Sequence, residues 1–135
     1  MSGEPDILVW VADPGASVDK VVQLALESQK ISGVDVRQYT GHDVFVSDLK
    51  NPQLAKPDAV LVSSYMPSVV TELMGNIRYT GIAVAYYSWT DMRKQAETES
   101  VHYIHKDDRA SLAAFIASVR KMKEFSQRAD KALPQ

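Results

Sequence analysis

Residues 57–67, "PDAVLVSSYMP", run from a turn through an unbroken apolar strand to a second proline. Apolar side chains at every position from 59 to 62 are the pattern of a strand covered on both faces, as the strands of parallel sheets are. Pro67 suits the first turn of a following helix, where its missing N–H is not needed. Two hydroxyls, Ser63 and Ser64, therefore stand at the carboxyl end of a buried strand, where α/β sheets gather their functional groups. A phosphorylated hydroxyl is one reading of Ser63. The other is a small polar residue bonded to nearby backbone, which such a site tolerates at low cost.

The same pattern repeats on either side. "ILVWV" at 7–11 and "GIAVAYYS" at 81–88 are further buried strands, "SGVDVRQYTG" at 32–41 is a shorter strand nearer an edge, and "VHYIHK" at 101–106 is a fifth. Between them, Val18, Val21, Val22, Leu24, Ala25 and Leu26 recur at helical spacing in 16–30, with Ser17 as the expected cap. A second helix is expected in 42–56, limited by Pro52. The third follows Pro67, with Val69, Val70, Leu73, Met74 and Ile77 inward, and a short polar one occupies 90–99. The last begins near Asp108 with Leu112, Phe115, Ile116, Val119 and Met122 on one stripe. Alternation of this kind predicts a flavodoxin-like (βα)5 three-layer sandwich, α/β in class, with a five-stranded parallel sheet of order 2-1-3-4-5.

A chain of 135 residues is the size of one domain. Residues 6–126 are read as that domain, 1–5 as a disordered lead-in and 127–135 as a helical tail or a linker to an output domain. Fifteen basic and seventeen acidic side chains leave a net charge of −2, which provides no field for holding a polyanion, so no nucleic-acid partner is expected. The absence of cysteine removes disulfides, thiol nucleophiles and thiolate metal sites. No signal peptide or membrane span is visible, and a cytoplasmic location is the expectation. No glycine-rich phosphate loop is present, so no cofactor is expected.

Laid end to end, "ILVWVADP", "PDAVLVSSYMP", "GIAVAYYS" and "YIHKDD" resemble the receiver domain of bacterial two-component response regulators, over nearly all of residues 6–126. In that family the first strand ends in two acids that hold magnesium, the third in the aspartate that is phosphorylated, the fourth in a small hydroxyl residue and the fifth in a lysine. The resemblance places the acidic pair on Val11 and Ala12, the phospho-accepting position on Ser63 and the switch hydroxyl on Tyr86. Lys106 alone is kept. Asp13 lies one residue late, and Asp107 replaces the proline that usually follows the lysine.

Phosphoryl transfer to a carboxylate needs that carboxylate and a divalent cation to neutralise the moving oxygens, and magnesium is usually held through one or two carboxylates. Val11, Ala12 and Ser63 supply none. The resemblance therefore implies an atypical receiver, a pseudo-receiver without catalytic activity or metal. Its expected mode of action is phosphorylation-independent contact with a protein partner or with itself, through the face of helix four, strand five and helix five. A small-ligand flavodoxin-like domain, or a receiver still phosphorylated at another residue, is the alternative.

The expected pocket comprises Asp13, Ser64 and Lys106, in which the lysine either pairs with Asp13 or stays at the surface. A serine–lysine hydrolase dyad of Ser63 and Lys106 is disfavoured, because no oxyanion-forming glycine loop follows Ser63. His102 and His105, three apart on a strand, point to opposite faces and cannot share a metal. Tyr87, Trp89, Tyr103 and His105 are the expected interaction surface. Tyr86 either joins that cluster or plugs the vacated pocket, and Trp89 either anchors a contact or covers the sheet edge.

Overall fold

The strands are β1 (Ile7–Ala12), β2 (Val34–Tyr39), β3 (Ala59–Val62), β4 (Ala83–Ser88) and β5 (His102–His105). They alternate with helices α1 (Val18–Ser28), α2 (His42–Lys50), α3 (Pro67–Met74), α4 (Arg93–Glu99) and α5 (Arg109–Ala132). This computed structural model describes residues 6–132, with side chains through residue 128; the expectations for residues 1–5 and for the end of the tail lie outside the described residues. All pairings are parallel, in the order β2-β1-β3-β4-β5, which is the flavodoxin-like doubly wound arrangement.

Each strand sends alternate side chains to the two faces. Val9, Val11, Leu61, Tyr87 and Ile104 meet α1 and α5 on one side. Trp10, Ala12, Val60, Val62 and Tyr86 meet α2, α3 and α4 on the other. Val11 and Ala12, the two positions aligned with the acidic pair, are thus ordinary core residues on opposite faces, 1% and 0% exposed. The register Ala12↔Val62 and Val62↔Tyr86 brings the ends of β1 and β3 level, β4 runs two residues further to Ser88, and the loops after the three strands form one rim.

Several local expectations are corrected. Ser17 makes no side-chain cap and adopts a left-handed backbone, with φ of 55°. The N–H of Asp19 is capped from a distance instead, by Oε1 of Gln38 on β2 at 3.1 Å. Val21 and Leu24 face solvent. Met74 and Ile77 are exposed as well, because α3 ends before Gly75 and the chain turns through a 3-10 segment that buries Tyr79 in their place. On α5 the apolar stripe outruns the sheet: at about 1.5 Å per residue the helix is about 36 Å long, and Met122 and Phe125 lie open.

Candidate functional site

Asp13 leaves β1 into the turn Asp13–Pro14–Gly15, and its carboxylate is engaged twice. Oδ1 accepts the Gly15 N–H at 2.7 Å, and Oδ2 accepts Nζ of Lys106 at 2.7 Å. A Cβ on residue 15 would stand 3.0 Å from that Oδ1, so a larger residue there would need the carboxylate to give by a few tenths of an ångström. The ion pair is largely withdrawn from water, with the two side chains 4% and 14% exposed for Asp13 and Lys106. Gln38 completes the brace from β2: its Nε2 donates to the carbonyls of Asp13 at 2.8 Å and Gly15 at 2.6 Å. One amide side chain thus holds the β1–α1 loop from below while its oxygen caps α1.

The rim's other half is built of hydroxyls. Ser63 is buried; its Oγ accepts the Tyr65 N–H at 3.1 Å and its carbonyl accepts the Met66 N–H at 3.0 Å, a serine turn leading into α3. Ser88 Oγ accepts the Thr90 N–H at 3.0 Å and donates to Ser64 Oγ at 3.1 Å. No buried side-chain polar atom among the described residues lacks a partner. Of the two serines at the end of β3, Ser63 is therefore local turn chemistry, and Ser64 ties that turn to the end of β4.

Tyr86 is not the hydroxyl of this rim. Its ring is fully buried among the α3 and α4 side chains, and its phenol donates to the Glu99 carboxylate at 2.7 Å. Burial first and that bond second push its pKa well above the usual tyrosine value. Ser88, two residues on along the same face of β4, supplies the strand-end hydroxyl. Tyr87, expected at the contact surface, is 1% exposed and packs toward α1 and α5, with Lys106 Nζ 5.9 Å from its ring centroid. The three remaining members of that surface do converge. Trp89 is 64% exposed and meets the His105 ring edge to face at 5.4 Å, and His105 and Tyr103 line one cleft with Asp91, Arg93 and Asp108.

Magnesium of the kind receivers hold does not fit these side chains. Asp13, the carboxylate at the end of β1, is already paired with Lys106, Asp91 after β4 is paired with Arg93, and Val11, Ala12 and Ser63 add none. Gln38 and Glu99 were not readable as site residues from their local sequence, whereas Ser88 closes the apolar run "AVAYYS" at a strand end.

The fold recurs in solved response regulator receivers. A response regulator receiver protein from Burkholderia phymatum superposes with a TM-score of 0.68 at 24% identity, over 86% of this chain and 96% of that one. A response regulator from Thermotoga maritima gives 0.68 at 18% identity, over 86% and 98%. The isolated receiver domain of RcsB from Salmonella enterica serovar Typhimurium gives 0.69 at 14% identity, over 86% and 89%. At these identities the likeness is one of fold. No family model and no curated protein sequence matches the chain. No helix among the described residues is long and apolar enough to cross a membrane.

Proposed function

We propose that this chain is a signal-transduction module of receiver fold whose phosphorylation pocket is closed by its own side chains. It acts by contact with a protein partner, without phosphoryl transfer. The Asp13–Lys106 pair, braced by Gln38, carries the reading: it engages the carboxylate at the end of β1 with the lysine after β5, the one position at which the resemblance to receivers is kept. Ser63 is a poor acceptor in these surroundings. A serine hydroxyl needs an adjacent base, and its oxygen is already committed to the Tyr65 amide.

The contact face is the one that carries Trp89, Tyr103 and His105, between α4, β5 and the start of α5. A large exposed aromatic beside a cleft is the kind of anchor on which interfaces depend. The test is a magnesium titration of the chain with and without a small phosphodonor, followed by amide NMR at Ser63, Ser88 and Lys106 and by intact mass. The expected outcome is unmoved resonances and an unchanged mass. Saturable shifts, or one added phosphoryl group, overturn the proposal.

A further inference from the structure

His105 ends β5 and touches both the closed pocket's last loop and the exposed face. Its Nδ1 accepts the backbone N–H of Asp107 at 3.1 Å, so that nitrogen carries no proton and the neutral ring holds its hydrogen on Nε2. The ring meets Trp89 at an interplanar angle of 84°. The groups around it come from every neighbouring element: Asp91 from the β4–α4 segment, Arg93 from α4, Tyr103 from β5 itself, and Asp108 at the head of α5. Asp107 follows in the same turn.

Both cleft carboxylates are anions well into acid. Side-chain and backbone bonds from Arg93 hold Asp91 down at about 2, and the Ser111 hydroxyl and amide hold Asp108 below its usual value. A positive charge on the imidazole therefore joins two fixed negative ones and one fixed positive one, the Arg93 guanidinium, which pairs with Asp91 at 2.7 Å and leaves Asp108 as the carboxylate without a cationic partner among the groups of this cleft.

We propose that His105 is a proton-operated latch: taking up a proton releases the Asp107 amide and resets Trp89, so that the contact face has a neutral form and an acid form. The proton goes to Nδ1, the ring nitrogen whose lone pair is used only by the Asp107 amide. Donor then faces donor, and that bond does not survive. The imidazolium turns toward Asp91 and Asp108, and the edge contact with Trp89 changes with it. The movement stays local, because Lys106 is tied to Asp13 on one side and Asp108 caps α5 through Ser111 on the other. The effect on partner affinity rests on the proposed contact face; the proton-driven rearrangement does not.

The experiment follows the Asp107 amide resonance and tryptophan emission of the whole chain between about pH 5 and 8, the interval in which imidazole changes charge. The Asp107 amide proton moves upfield as its acceptor is lost, and emission changes with the same midpoint, buried Trp10 contributing a constant background. In His105→Asn both curves are flat, since an asparagine oxygen bonds the amide two residues on and takes up no proton in this interval. In Trp89→Phe the Asp107 titration persists and the emission change disappears. An Asp107 amide that stays still, or that titrates equally in His105→Asn, overturns the latch. A phosphoryl adduct overturns the preceding reading and leaves this titration as it is.

Discussion

The two halves of the rim are held by opposite means. On the β1, β2 and β5 side the contacts join residues far apart in the chain, 93 positions from Asp13 to Lys106 and 25 and 23 from Gln38 to the carbonyls it holds. On the β3 and β4 side Ser63 and Ser88 each accept an amide only two residues on, and one bond, from Ser88 Oγ to Ser64 Oγ, spans 24 positions. One half is built from buried long-range bonds, and the other is mostly turn chemistry, with a single hydroxyl bond across the rim. The difference teaches that a polar residue at the carboxyl end of a buried strand is not thereby functional. What counts is whether it reaches across the fold.

That contrast makes the costs of substitution unequal. Lys106→Met leaves the Asp13 carboxylate buried with only the Gly15 amide, and breaking a buried pair in this way is expected to cost about 3 kcal/mol in urea unfolding. Adding Asp13→Asn should recover most of it, since the uncompensated charge goes with it. A Lys106→Met cost no larger than that of a serine variant would erase the distinction between the halves. Gln38→Ala removes three bonds at once and is expected to cost about 1–3 kcal/mol, with faster hydrogen exchange of the Asp19 amide, which loses its cap.

Tyr86→Phe sits between the two extremes. It deletes the phenol's bond to Glu99, which ties a helix whose buried residue is Ala96 to the sheet, and about 1 kcal/mol is expected, with exchange rising across α4. Because burial and Glu99 raise this phenol's pKa, the fold favours its neutral form. The stability it contributes is present below the ordinary tyrosine pKa and is lost as pH rises through the folded value, so the variant should unfold less steeply in alkali. Ser63→Ala and Ser88→Ala are expected to cost the least, each below about 1 kcal/mol in the same urea series. The amides they release, of Tyr65 and Thr90, belong to exposed residues that water reaches.

Much of the architecture was legible because buried parallel strands announce themselves as apolar runs, and five of them alternating with helical spacing leave few topologies. The departures have a common cause. Ser17 carried the right residue type for a cap, yet its left-handed backbone leaves the role to Gln38. Ile77 kept helical spacing with Val70 and Leu73, yet Gly75 had already ended the helix and turned it outward. Tyr86 and Tyr87 follow each other at the end of a strand, the first expected at the switch position and the second at the contact surface. The pleat buries them on opposite faces and brings Ser88 to the rim in their place.

By itself the sequence determined the strand runs, the order in which they pair, and the absence of a carboxylate at Val11, Ala12 and Ser63, because composition and period-two or helical spacing act locally and survive without knowledge of neighbours. Only the tertiary structure decided what Asp13, Gln38 and Lys106 do. Their partners lie across the sheet, and whether a lone acid stays free or is neutralised depends on a few ångströms of loop geometry that the spacing of residues along a chain does not encode.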